Sequence, residues 1–263
     1  IAAAIRDLLA ELDLAPTDVR GIGIGMPGLH DTEQGVCLYA ANLNWHDVPV
    51  KEPFEDWFGV PVTIENDVRC AALGERHFGA AQDVDDMVLI TVGTGVGGAV
   101  ILGGRLQRGG SGFAGEVGHQ TIDPDGRLCA CGNYGCLEAY AGTAGIVERA
   151  KALYNRFPSE WVRRAAGDDL SGLTPRLLSE AAAQGDLAAL QVWEETGRYI
   201  GIGLANVVSL FNPKKIVVGG GVARAGEILL KPMRDEIRQR VPVVMADTVE
   251  VVPAVLGSKA GVV

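Results

Sequence analysis

Residues 86–104 read "DMVLITVGTGVGGAVILGG". Two apolar, β-branched runs flank a glycine cluster; each run suits a buried strand, and the glycines let the chain reverse between them. The stretch therefore predicts a hairpin inside a sheet. It is also the most apolar window of the chain. Its core, "MVLITVGTGVGGAVIL", is only 16 residues long and is broken by glycines, too short to cross a bilayer. Outward from this hairpin, strands and helices alternate toward both ends. "VRGIGIGMPG" (19–28) predicts a buried strand running into a turn, 48–59 a helix, "VPVTIEND" (60–67) a short strand and 68–79 a helix. Beyond the hairpin, 138–156 and 174–210 are helical by pattern, the second broken at Gly185. "KKIVVGGG" (214–221) predicts a strand ending in three glycines, 225–240 a helix and 248–257 a last strand. The order predicts an α/β protein with ligand sites at strand carboxyl ends, where the glycine turns lie.

Of 263 residues, 48% are hydrophobic, 21% charged and 36 are glycine, which excludes a disordered or fibrous chain and allows one large or two ordinary domains. The net charge of −10 repels nucleic-acid phosphates and anionic lipid, so an anionic substrate would need local backbone amides or a metal. The opening "IAAAIRDLLAELDLAP" places Ile1, Ile5, Leu8, Leu9 and Leu12 at helical spacing with charges opposite, unlike a secretion signal. Five cysteines, three of them crowded together, do not suit a disulfide framework. A reducing, cytoplasmic setting is expected, and Cys37 and Cys70 read as small buried hydrophobes.

The crowded three lie in "HQTIDPDGRLCACGNYGCLE" (119–138). Cys129, Cys131 and Cys136, with His119 upstream, offer three soft thiolates and one imidazole, the donor set of a closed tetrahedral zinc site. Four protein ligands leave no open position, so the zinc is expected to be structural, with Gly132 and Gly135 permitting the turns. "EVGH" puts Glu116 three residues before His119, on one face of a helical turn, and Glu138 follows two residues after Cys136. If one nitrogen of His119 binds metal, the other carries the proton and is free to donate. One donor between two carboxylates suits a polyhydroxyl ligand such as a sugar; spacing alone equally allows two solvated surface acids.

"GTGVGG" (93–98) and "GGG" (219–221) are either tight turns or backbone nests for phosphate oxygens. The first matches neither a P-loop nor a dinucleotide fingerprint. "IENDV" ends a strand at Asn66 and Asp67, where Asp67 is either a helix cap or the carboxylate that orients a substrate hydroxyl and takes its proton.

In order, "GMPG", "NLNW", "IEND", "GTGVGG", "GEVGH", "CACGNYGCLE" and "VVGGG" resemble the ROK family of repressors, open reading frames and kinases, over almost the whole chain. The histidine–cysteine signature most resembles the bacterial glucokinases of that family. The resemblance implies an actin-like ATPase fold of two RNase-H-like lobes around a cleft, with 1–102 the smaller lobe and 103–263 the larger, zinc-bearing one. It implies ATP, Mg²⁺ and structural zinc as cofactors, a hexose acceptor with glucose favoured, and a homodimer or homotetramer. Carried over residue by residue, Asp67 is the general base. Gly28, Asn66, Asp67, Glu116, His119 and Glu138 hold the sugar. Gly93, Thr94, Gly95, Gly97 and Gly98 face the ATP phosphates, and Gly219, Gly220 and Gly221 the adenosine. His119, Cys129, Cys131 and Cys136 hold zinc.

Two departures stand out. The family's opening strand–turn–strand with Asp-x-Gly-Gly-Thr does not occur here, and the chain stops before the family's terminal helix, so a longer chain is expected. A sugar-responsive repressor, which would carry a DNA-binding segment before Ile1, and a kinase for another hexose such as N-acetylglucosamine or fructose are the alternatives.

Overall fold

The computed structural model describes residues 1–262. The hairpin forms as expected: β6 (Met87–Val92) and β7 (Val96–Leu102) pair antiparallel, Val92 opposite Val96. It sits in a five-stranded sheet of order β10 (Glu250–Pro253), β9 (Lys215–Gly219), β6, β7, β8 (Arg105–Leu106), in which β9 runs parallel to both β6 and β10. Both faces of the hairpin are covered, which explains an unbroken apolar run where a half-buried strand would alternate. Val88, Ile90 and Val92 point into the main core, with Trp193, Leu204 and Met233 from the helices; Met87, Leu89 and Ile101 point into a second cluster with Ala72.

The helices of the main core are α4 (Leu137–Ala141), α5 (Thr143–Arg156), α6 (Glu160–Ala166), α7 (Pro175–Ala183), α8 (Leu187–Phe211), α9 (Glu227–Arg240) and α10 (Val243–Ala246). Helices α8 and α9 pack closely because Gly197 and Gly201 leave no side chain between them; a Cβ at Gly197 would lie 2.5 Å from the Pro232 ring. The expected helix 174–210 is broken around Gly185, and Asp186 caps the second half by accepting the Ala189 N–H at 2.9 Å.

The N-terminal part carries α1 (Ala2–Glu11), α2 (Lys51–Phe58) and α3 (Asp67–Phe78). A parallel pair joins β1 (Ile22–Met26) to β5 (Val62–Asn66), and a three-stranded antiparallel sheet joins β2 (Leu29–Asp31), β3 (Val36–Ala40) and β4 (Trp45–Pro49). That small sheet was not anticipated. Its strands are short and their outward residues polar or aromatic, as in the exposed Tyr39–His46 ring pair, so the pattern lacks a clear period of two. The short α6 was also not anticipated. Cys37 is fully buried beside Phe54 and Val62, as a lone cysteine packs. On α1 only Leu9 is buried, and Ile1, Leu8 and Leu12 are exposed. The expected lobe boundary after residue 102 falls inside the five-stranded sheet, because β7 hydrogen-bonds to β8 and β6 to β9.

One carboxylate ties the two parts together. Glu75, near the end of α3, is 0% exposed and has no cationic partner among the described residues. Its oxygens accept three backbone N–H groups, from Ala80 (2.8 Å), Val255 (3.0 Å) and Leu256 (2.8 Å). Replacing Glu75 by Ala leaves three part-buried donors without this partner and is expected to cost about 2 kcal/mol or more of unfolding free energy. Urea denaturation measures this, and a loss below about 1 kcal/mol would show that water replaces the carboxylate.

Candidate active site and metal centre

Asn66 and Asp67 stand where β5 becomes α3. The cap of this helix is Asn66: its Oδ1 accepts the N–H groups of Val68 (3.0 Å) and Arg69 (3.2 Å), while its Nδ2 donates to the Gly28 carbonyl at 3.3 Å. Gly28 has φ +107°, and a Cβ there would lie 2.3 Å from the Tyr39 carbonyl, so the "MPG" turn and "IEND" lock together only with glycine. Asp67 is therefore released from capping. It occupies the first helical position, exposed, with one oxygen on the Val68 N–H at 2.9 Å.

The glycine turn after β6 is more specialised than a nest of equal amides. Gly93 donates its N–H to the Gly95 carbonyl at 2.9 Å, and its own carbonyl accepts from the N–H and hydroxyl of Thr143 (2.9 and 2.8 Å). Val96 donates to Glu138 Oε2 at 2.8 Å. Gly97 and Gly98 lie within β7, and their missing side chains make room for neighbours: a Cβ would lie 2.7 Å from Val68 and 2.5 Å from the Gly115 carbonyl. Among the described residues, no hydrogen bond runs from the N–H of Thr94 or Gly95 to a protein group, so these two amides of the turn are free. The second turn lies against the first, since a Cβ on Gly220 would lie 2.2 Å from the Val92 carbonyl. Both turns thus sit at the carboxyl ends of the parallel strands β6 and β9. Beyond Gly221 opens a cavity of about 400 Å³, lined in part by Ser179, Glu180, Trp193, Val222 and Arg224.

The cysteine loop closes as its spacing predicts. The ligand atoms of His119, Cys129, Cys131 and Cys136 all lie within 4.8 Å of one another. A short 3-10 turn over Val117–His119 sets His119 so that Nδ1 faces Cys129 Sγ (3.9 Å) and Nε2 faces Glu116 Oε2 (4.0 Å). Gly135, at φ +70°, lets the loop fold onto Asp123, and Tyr140 anchors that fold by donating to Asp123 Oδ2 at 2.8 Å. Burial pushes the Cys129 thiol up and that of Cys136 up to about 12, whereas the Asn133 amide draws Cys131, which is exposed, down. Two buried thiols that stay neutral by themselves, beside a third and an imidazole, fit a divalent soft cation that would ionise them.

Glu138 belongs to both features. While Oε2 holds the Val96 N–H, Oε1 lies 3.9 Å from Cys129 Sγ, and Gly95 lacks the Cβ that would strike it at 2.3 Å. Val68, next to Asp67, thus lies against Gly97, and Glu138 lies against Gly95. Among the described residues no direct hydrogen bond joins Asp67 to Glu116, His119 or Glu138. Sequence reasoning missed Glu65, whose partner Arg108 lies 43 residues away, and His30. The His30 ring is buried, its Nε2 has no partner among the described residues, and burial lowers its pKa against the pull of Pro27, Glu65 and Asp67.

The sequence profile of the ROK family matches residues 1–263. This chain belongs to the ROK family. It is 38% identical over 265 residues to a glucokinase of Halalkalibacterium halodurans, covering 100% of this chain and 80% of that protein. It is also 37% identical over 225 residues to a xylose repressor of Caldicellulosiruptor bescii, covering 86% of this chain but 56% of the repressor. Among solved structures, a ROK family glucokinase from Streptomyces griseus, in complex with glucose and AMPPNP, superimposes with a TM-score of 0.83 at 40% identity, covering 99% of this chain and 84% of that one. The α/β, actin-like ATPase fold expected from the motifs is the fold of this ROK chain.

The thiol environments give a test. In metal-free protein near neutral pH, iodoacetamide is expected to label Cys131 first, because the low-pKa, exposed thiol holds more thiolate. Cys129 and Cys136 should lag, and zinc should protect all three. Peptide mass spectrometry reads the order; equal labelling of all three without metal would contradict the closed loop.

Proposed function

We propose that this chain is the catalytic part of a hexose kinase that transfers the γ-phosphoryl group of ATP to the 6-hydroxyl of glucose. The observation that carries this reading is the glycine turn 93–98, held between the residue after Asp67 and the carboxylate of Glu138. A phosphate seat between a free carboxylate and a hydroxyl-binding group is the arrangement phosphoryl transfer needs. Similarity to a glucokinase and to a glucose-bound structure supports the choice of sugar.

In this reading Glu116, the Nε2–H of His119 and Oε1 of Glu138 bind hydroxyls of the ring, with Asn66 and Gly28 at the other edge. Asp67 takes the proton of the 6-hydroxyl while that oxygen bonds to the γ-phosphorus. The bond from the γ-phosphorus to the bridging oxygen breaks, and ADP leaves. The amides of Thr94 and Gly95 face the phosphates, Mg²⁺ enters with ATP, and Gly219 to Gly221 with the adjoining cavity seat the adenosine. His119, Cys129, Cys131 and Cys136 would hold zinc, which would make the loop rigid and fix the tautomer of His119. A cytoplasmic setting and a homodimer or homotetramer complete the proposal. The lobes divide between α3 and β6, which keeps the five-stranded sheet whole.

Asp67→Asn in the full-length protein is expected to lower kcat by roughly 10²–10⁴ with glucose affinity nearly unchanged, the usual worth of a positioned base. Sugar-dependent ADP release and calorimetry measure the two together; a near-normal kcat would remove the base assignment. The second reading is a sugar-responsive repressor, favoured by the 37% identity to a xylose repressor. It differs in outcome, because such a protein binds sugar without releasing ADP.

A further inference from the structure

We infer that Glu65, Arg69 and Arg108 form a latch that positions the Glu116 loop against the Asp67 helix, and that Arg108 is its adjustable member. The inference rests on the hexose-kinase reading above and names residues that touch neither sugar nor nucleotide in it. Glu65 is the penultimate residue of β5, just before Asn66, with its side chain only 12% exposed. Its two oxygens divide the work. Oε1 accepts the Asn66 N–H at 3.0 Å and Arg69 Nη1 at 3.3 Å; Oε2 accepts both Nε and Nη2 of Arg108 at 2.9 and 2.7 Å.

The two guanidiniums then reach the same loop from opposite ends. Arg69, buried on α3, donates through Nη2 to the Ala114 carbonyl at 2.7 Å. Arg108 opens that loop, and the Ala114 N–H closes it by donating to the Arg108 carbonyl at 3.0 Å. Residues 108–114 are thus pinned at both ends to the β5–α3 junction. Glu116 follows two residues later, and between them Gly115 packs on Gly98 of β7. A single carboxylate next to Asn66 and Asp67 therefore sets the position of a second carboxylate on the other side of the candidate sugar site.

The members are not equivalent. Arg69 is enclosed and fixed by two partners, so its removal would leave Glu65 half-buried with its charge partly uncompensated. Arg108 has a side chain 50% exposed, and its hold on Glu65 is a planar, two-point fork that lysine cannot reproduce. Loss of the fork frees one end of the loop while leaving the buried pair and the core intact.

The test uses full-length protein as wild type, Arg108→Ala, Arg108→Lys and Glu65→Gln, with glucose affinity by calorimetry, the KM for ATP and the Tm. Expected for Arg108→Ala is a glucose Kd raised about tenfold, the scale of a charge-assisted pair. The ATP constant should stay within about twofold, and Tm should be nearly unchanged. Arg108→Lys should recover only part of the loss. Because Glu65→Gln disturbs a buried charge and risks misfolding, Arg108→Ala is the deciding variant. Glucose affinity of Arg108→Ala within about twofold of a wild type that binds glucose would overturn the latch and leave the kinase reading standing. Glucose and ATP constants rising together would reduce Arg108 to a general structural role and overturn it too. A wild type that binds no hexose would overturn the kinase reading, and the latch with it.

Discussion

The hydrogen bond from the Val96 N–H to Glu138 Oε2, 2.8 Å long, is the contact on which the candidate site depends. It crosses from the cysteine loop to the turn of the central hairpin, and it exists because Gly95 leaves the space a Cβ would fill. Without it the loop's carboxylate and the turn's free amides would be two unrelated surfaces. With it, a displacement of the loop is a displacement of the turn. The fold supplies a rigid base for this contact: β6 and β7 are buried on both faces, so the turn between them has little freedom of its own.

Close backbone approach recurs wherever an element of the site meets another. Gly28 admits the Tyr39 carbonyl, Gly97 admits Val68, Gly98 admits the 115–117 segment and Gly220 admits Val92. The high glycine content thus has a structural use beyond turn-making. It lets loops from distant parts of the chain share one small volume. The charged residues then act at the seams: Glu75 holds α3 to the segment after β10, and Glu65 holds the β5–α3 junction to the loop before Glu116.

What could be read in the sequence was what neighbours in sequence encode. The hairpin follows from two β-branched runs and a glycine cluster, and the cysteine cluster from donor type and spacing, since a metal loop is local by construction. The Glu116–His119 pairing follows from a three-residue interval. Residues whose purpose is a distant partner were silent: Glu65 meets Arg108 43 residues on, and nothing next to Gly98 in the sequence announces the Gly115 backbone packed against it. The account of backbone N–H groups was also hidden, because only the folded turn shows that Gly93 is used by Gly95 and Val96 by Glu138. The sheet of β2 to β4 escaped because short strands with polar outer faces carry no periodic signal, and chain order does not show that β9 inserts beside β6.

The most direct measurement compares glucose binding, by calorimetry, to the full-length protein loaded with zinc, stripped of it, and reloaded. If a metal held by the cysteine loop fixes Glu138 and His119 against the glycine turn, stripping should weaken binding by about tenfold or more, as loss of a ligand-orienting shell does, and reloading should restore it. Unchanged affinity in the stripped protein, with the loss of metal verified, would contradict the coupling of loop, turn and sugar site.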